Sequence, residues 1–167
     1  MAILPDVLAY SLKVIFCGTA ASRQSAAQGA YYAGPGNRFW PTLYRIGLTP
    51  IQLQPEAFIQ VLQYGIGLTD IVKHASGNDR DLKPVDYQPE ALLARLSMYQ
   101  PRFVAFNGKR AAQAFFDASS LDYGRINQVI GESAVFVLPS TSGAARAYWD
   151  ETIWFALAKA IQDTDVC

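Results

Sequence analysis

The feature that most constrains this chain is a set of short, unbroken apolar runs, each stopping at small polar residues. Val14-Ile15-Phe16-Cys17 ends at Gly18, and Phe103-Val104-Ala105-Phe106 ends at Asn107-Gly108. Val135-Phe136-Val137-Leu138 ends at Pro139-Ser140-Thr141-Ser142-Gly143. Each run lacks the period-2 alternation of a strand with one wet face, and each is too short for a helix buried all round. Strands buried on both faces read this way, and they belong to parallel sheets covered by helices on both sides.

The segments between the runs carry helical spacing. Phe39, Trp40, Leu43, Tyr44 and Ile46 follow a Gly/Pro turn and stop at Gly47; Pro41 fits the first turn of that helix. Phe58, Ile59 and Leu62 follow Pro55 and stop at Gly65, and Leu92, Leu93 and Leu96 follow Pro89. A helix is expected from Lys109 to Ala118, and a last one from about Arg146 to Gln162, with Trp149, Ile153, Leu157 and Ile161 in step. Residues 66–72 fit either a short strand or an extended connector. The small-residue stretch from Thr19 to Gly29 reads as a loop. Residues 73–88, where Lys73, His74, Asp79, Arg80, Asp81 and Lys83 cluster, read as the longest exposed loop. With no repeat, linker or composition shift, residues 1–167 are expected to form a single α/β domain.

In open parallel sheets, ligands bind outside the carboxyl ends of the strands. Here those ends are the segments beginning at Gly18, Asn107 and Pro139, so the site is expected there. Composition narrows what it can do. With 51% apolar and 17% charged residues among 167, the chain can bury a core and is no disordered tail. Charge is balanced, 14 Lys plus Arg against 14 Asp plus Glu, so binding to nucleic acid by coating phosphates alone is excluded. Cys17 and Cys167 cannot make a disulfide framework or a zinc site, which points to a reducing compartment. No apolar stretch reaches membrane-spanning length, and the apolar start, Ala2 to Leu12, lacks the basic region of a signal peptide.

Several residues carry candidate chemistry, each beside a plainer role. The loop after Gly18 has neither the Gly-Lys-Ser/Thr ending of a phosphate loop nor a G-x-G-x-x-G run, so nucleotide-cofactor binding is disfavoured. His74, the one histidine, decorates a loop without acid or nucleophile partners in view. Tyr31-Tyr32 either fill core or offer a stacking platform to a nucleobase. Asn107 either caps the next helix or presents its amide to the edge of a pyrimidine imide. Ser140, Thr141 and Ser142 either form a helix-leading turn or aim hydroxyls and N–H groups at phosphate.

At these residues the chain resembles the mismatch-specific uracil-DNA glycosylases, the branch that includes thymine-DNA glycosylase. The resemblance rests on Phe16-Cys17-Gly18, on Tyr32-Ala33-Gly34-Pro35-Gly36-Asn37-Arg38-Phe39-Trp40, and on Tyr64-Gly65-Ile66-Gly67-Leu68-Thr69-Asp70. Tyr99-Gln100-Pro101-Arg102 running on to Phe106-Asn107-Gly108-Lys109, and the Pro139–Gly143 turn, complete it in order. It implies a three-layer α/β/α domain with a central four-stranded, mainly parallel sheet. It also implies a base-excision-repair enzyme that flips uracil, and related damaged or mispaired bases, out of DNA and hydrolyses the bond to the sugar. Neither metal nor cofactor is expected. A monomer acting on double- and single-stranded DNA in a bacterial-type, nucleoid-associated cytoplasm goes with it.

By position, the resemblance makes Tyr32 the ring that stacks on the base and Asn107 the amide that reads its edge, with Thr19 and Ala20 lining the pocket. Ser140, Ser142, Gly143, Ala144 and Arg146 would press into the duplex and hold its backbone, with Lys109 nearby. Two departures matter. The family's first motif reads Gly-Ile-Asn-Pro-Gly, and its asparagine positions the attacking water; here the stretch is Gly18-Thr19-Ala20-Ala21-Ser22, with alanine in that place. The wedge is small as well. Asp70 is the acidic residue in the converging segments and is expected to replace the asparagine, with Ser22 and Gln24 as alternatives. A catalytically inactive lesion-binding protein and a small hydrolase of nucleosides or nucleotides are the rival readings.

Overall fold

Five strands form one sheet in the computed structural model, which describes residues 1–165: β1 (Val14–Gly18), β2 (Ile66–Asp70), β3 (Phe103–Asn107), β4 (Gly124–Ile130) and β5 (Ser133–Leu138). Their order is β2-β1-β3-β5-β4; β1, β2, β3 and β5 run parallel, and β4 pairs antiparallel with β5 at the edge. The helices are α1 (Arg23–Gln28), α2 (Phe39–Arg45), α3 (Pro89–Tyr99), α4 (Lys109–Phe116) and α5 (Glu151–Asp165).

β1, β2 and β3 are buried at every position, as the unbroken apolar runs of β1 and β3 require; β2 buries Thr69 and Asp70 as well. Alternate side chains face opposite layers. Val14, Phe16, Leu68, Ala105 and Leu138 pack with Phe39, Trp40 and Leu43 of α2 and with Trp154, Leu157 and Ile161 of α5. Ile15, Cys17, Val104, Phe106, Val135 and Val137 pack with Leu92 and Leu96 of α3 and with Ala111 and Ala112 of α4. The three-layer α/β/α architecture is therefore as expected. The N-terminal segment belongs to it: Leu4, Val7 and Leu12 are buried, and Val7 bridges Leu68 along the outer edge of β2. Among the described residues no helix is long and apolar enough to cross a membrane.

The structure departs from the sequence reading in five places. The sheet has five strands rather than four, because Gly124–Ile130 adds a bulged edge strand through a two-residue turn at Gly131-Glu132. Part of the Thr19–Gly29 loop is helical: Ser22 caps α1 by accepting from the Ser25 N–H, and Gly29 ends it in the left-handed conformation. The segment Pro55–Tyr64 is 3-10 helix with a kink at Ala57. The last helix starts at Glu151, after a 3-10 turn over Gly143–Tyr148, because Trp149 is extended and Asp150 accepts from the Thr152 N–H to start a new helix. Lys73 lies in the loop after β2 but is buried there, at 5% exposure, rather than exposed. Cys167 lies outside the described residues, and Cys17 is a buried free thiol.

Candidate active site

β1 has β2 on one side and β3 on the other, so the connections from β1 to β2 and from β2 to β3 leave in opposite directions. This is the switch point at which an α/β sheet opens a crevice beyond its strand ends. The register brings the last residues of the strands level. Gly18 pairs with Asp70, Cys17 with Phe106, and Asn107 with Leu138. Gly18, Asp70 and Asn107 therefore stand side by side at one rim. The chain after β1 stays beside the chain after β2: Ile71 N–H donates to the Gly18 carbonyl, Val72 N–H to that of Thr19, and Gly77 N–H to that of Ala21. Thr19 and Ala20 are held, half-buried, at the floor of this rim.

Asp70 lies directly over Gly18. A Cβ at Gly18 would come 2.6 Å from Asp70 Oδ1 and 3.1 Å from the Tyr32 hydroxyl, so only glycine leaves the carboxylate room. The Asp70 side chain is almost wholly buried, and burial pushes its carboxyl up to about 6. The Lys73 ammonium pulls the other way, Asp6 adds to the rise, and Arg95 and the Gly18 backbone N–H oppose it.

Those charges form one network. Lys73 Nζ lies 2.8 Å from Asp6 Oδ1 and donates to the Tyr31 hydroxyl at 3.2 Å. The Thr69 hydroxyl donates to the same Asp6 oxygen at 2.7 Å. Arg95 Nε is 3.3 Å from Asp6 Oδ2, while its Nη2 donates to the Asp70 main-chain carbonyl at 2.9 Å. Asp6 thus bridges the two cations behind the rim, and Arg95 ties them to the Asp70 main chain. A carboxylate with compensating cations nearby is ionised at neutral pH and can still take a proton.

Asn107 is 7% exposed and does not cap α4, whose N-cap is Gly108. Its Oδ1 accepts from the Thr141 N–H at 3.0 Å and its Nδ2 donates to the Thr141 hydroxyl at 2.9 Å. This pair locks the amide and leaves one N–H and one lone pair on it unspent. The turn after β5 is itself pinned. Arg38 N–H donates to the Thr141 carbonyl at 2.9 Å, and Ser142 N–H to the Ser140 hydroxyl at 3.2 Å. A Cβ at Gly143 would sit 3.3 Å from the Gly36 carbonyl oxygen, so two glycines let the 34–38 turn and the 139–146 turn touch.

Tyr32 joins the two halves of the rim. Its backbone is left-handed (φ 54°), and one ring face stacks on Phe39 with centroids 4.0 Å apart. Its hydroxyl is buried without a hydrogen-bond partner among the described residues. Burial and the Asp70 charge hold this hydroxyl well above the ordinary tyrosine range; the Asn107 amide works against them, though no bond of ordinary geometry links the two.

The model of the uracil DNA glycosylase superfamily matches residues 5–163. The chain belongs to that superfamily. Its chemistry is that of DNA glycosylases, its partner is DNA, and its place is in base excision repair. The solution structure of a candidate uracil DNA glycosylase from Methanosarcina acetivorans has the same fold, with TM-score 0.66 and 23% identity over 95% of this chain and 96% of that one.

Within this superfamily fold the expected site residues divide. Thr19, Ala20, Tyr32, Asp70, Asn107, Ser140, Ser142 and Gly143 gather at the rim. Ala144 and Arg146 follow on the exposed turn, where Arg146 Nε donates to the Gly143 carbonyl at 3.4 Å. Lys109 lies over the Tyr123 ring at 4.2 Å. Ser22 is spent on capping α1, and Gln24 is exposed beside Gly34. The sequence reading missed Asp6, Lys73 and Arg95. A charge in the apolar stretch Ala2–Leu12 and a lysine directly continuing Ile71-Val72 were the available signals.

Proposed function

We propose that the chain is a monofunctional, mismatch-type uracil-DNA glycosylase that flips uracil, and related damaged or mispaired bases, out of DNA and hydrolyses the bond from the base to C1′. The observation that carries this reading is the buried Asp70 carboxylate beside Gly18 and Asn107, in a chain with alanine at the position of the family's water-holding asparagine. As the bond to the base stretches, positive charge builds on the sugar, and a carboxylate in a water-poor site stabilises it. The same carboxylate orients the water. The water oxygen bonds to C1′, the old bonding pair leaves on the base nitrogen, and the proton released passes to Asp70.

Asn107, with one N–H and one lone pair free, supplies the donor and acceptor that an imide edge needs. Tyr32 offers the ring surface against which the flipped base rests. The short Gly143-Ala144 plug, with Arg146 behind it, suits limited intrusion into a duplex and tolerance of single strands. A monomer in the cytoplasm, on chromosomal DNA, completes the reading.

Incubation with a uracil-containing oligonucleotide, followed by alkali, tests it. Strand breaks at uracil are expected, and Asp70→Ala should lower the single-turnover rate about 10²–10³-fold, the usual loss for such an electrostatic group. Asp70→Asn should keep a part of the rate by orienting water without charge. Binding without breaks would instead make the chain a lesion reader, and neither binding nor breaks would favour a hydrolase of free nucleosides. A wild-type rate for Asp70→Ala would return the role to Ser22 or Gln24.

A further inference from the structure

We infer that Asp6, on the segment before β1, is a positioning residue for the Asp70 carboxylate: it engages the Lys73 and Arg95 cations and so leaves the Asp70 side chain without an ion pair at the rim. This rests on the reading of Asp70 just given. A carboxylate that stabilises a sugar cation must keep its charge available, and one closed on an ammonium has spent it. Asp70 has such an ammonium close by. Lys73 follows it by three residues, is 5% exposed, and is the charge that most opposes the rise of the Asp70 carboxyl. Yet among the described residues Lys73 pairs with Asp6, at 2.8 Å, and Asp70 forms no ion pair.

The segment is fastened on both sides of Asp6. Val7 N–H donates to the Leu68 carbonyl at 2.9 Å, and Leu68 N–H donates back to the Val7 carbonyl at 2.8 Å. Ile3 N–H donates to the Lys73 carbonyl at 2.7 Å, and the Tyr31 hydroxyl to that of Pro5 at 3.0 Å. Asp6 is thereby held beside the end of β2. Its Oδ1 takes Lys73 Nζ and the Thr69 hydroxyl, and its Oδ2 faces Arg95 Nε, so one carboxylate holds residues on either side of Asp70. A buried ammonium needs a counter-charge. Without Asp6, the acid left to Lys73 is Asp70, and their pairing would neutralise the group that faces the sugar.

The titration of Asp70 tests this, read without substrate from the carbon-13 shift of its carboxyl and with substrate from the pH profile of single-turnover excision on a uracil oligonucleotide. The groups that face it are Lys73, Asp6 and Arg95, with Cys17, Tyr31 and Tyr32, whose burial keeps all three protonated through this range. Asp6→Asn should lower the midpoint by about one pH unit and cut the rate above it about tenfold, because the released lysine closes on Asp70. Lys73→Met should raise the midpoint by about as much. The double variant removes both charges of the pair; its midpoint should return to within about half a unit of wild type and its rate to within about threefold. A second deletion does not repair lost packing, so this recovery separates positioning from a structural role. An unmoved midpoint in Lys73→Met, or a double variant no faster than Asp6→Asn, would overturn the inference, and the Lys73→Met arm decides even where Asp6→Asn does not fold. Carboxyl shifts as expected beside a wild-type rate for Asp70→Ala would instead remove the reading of Asp70 beneath it.

Discussion

Asp70 is held where it weakens the fold. Its carboxyl titrates near 6 in the folded chain against an ordinary value of 3.8, because burial outweighs the opposing Lys73 and Arg95 charges. Between those two pH values the folded chain keeps a proton that the unfolded chain has released. Stability therefore falls as pH rises through that window and stays at the lower level above it, by about 3 kcal/mol at most. Asp70→Asn should melt like the wild type below pH 4 and several degrees higher at pH 7, at roughly 2–4 °C per kcal/mol for a chain of this size. Thermal melts at the two pH values check this, and coincident melting at pH 7 would mean that the carboxylate is solvated. With Asp70 in its proposed role, the same titration is expected to set the activity. Excision should fall about tenfold per pH unit below pH 6 and level off above it, since the ionised form stabilises the sugar cation.

At the scale of elements, what was legible and what was not have separate physical causes. β1, β3 and the run within β5 announce themselves because a strand buried on both faces has no polar position to interrupt it. β4 hides because it is an edge strand with a bulge between Ile126 and Val129, which breaks both the run and the alternation. α1 hides because only Ser25 among its residues is buried, so it has no apolar face to read. The network behind Asp70 was illegible because its members come from residues 6, 69, 73 and 95, which only the packed sheet brings together. The link between Asn107 and Thr141, 34 residues apart, is of the same kind and joins the end of β3 to the turn after β5. If Thr141 holds the amide for base reading, Asn107→Ala should cost uracil excision ten- to a hundredfold, the worth of a bidentate base contact at about 1–3 kcal/mol. Thr141→Val keeps the backbone N–H and loses the hydroxyl, so its loss should stay at or below tenfold. The double variant should be no slower than Asn107→Ala alone. Additive losses in single-turnover rates would give Thr141 a task of its own.

Over the whole molecule the even count of charges conceals an uneven arrangement. At the amino ends of the strands, Lys13 and Arg102 both pair with Asp165, at 3.1 and 2.7 Å. At the carboxyl ends, neither Arg38 nor Arg146 forms an ion pair among the described residues. Arg38 lies 5.2 Å over the Trp149 ring, and Arg146 is exposed on the turn after β5. Arg38 and Arg146 are thus two cations beside the rim without an ion pair, and they can meet phosphates although the chain carries no net charge. The salt dependence of binding should accordingly be shallow, with each cation at the rim carrying a readable share. Arg146→Ala should reduce the slope of log K against log salt by about one contact on a uracil duplex. It should also weaken the duplex more than the single strand, because the turn that carries it must hold the opened helix while Gly143 and Ala144 supply little bulk. Arg102→Ala, at the far end of the sheet, should leave both slopes unchanged. Fluorescence anisotropy across a salt series on both substrates decides the matter: equal losses on duplex and single strand would make Arg146 a plain phosphate clamp, and a slope unchanged by its removal would take it off the DNA face.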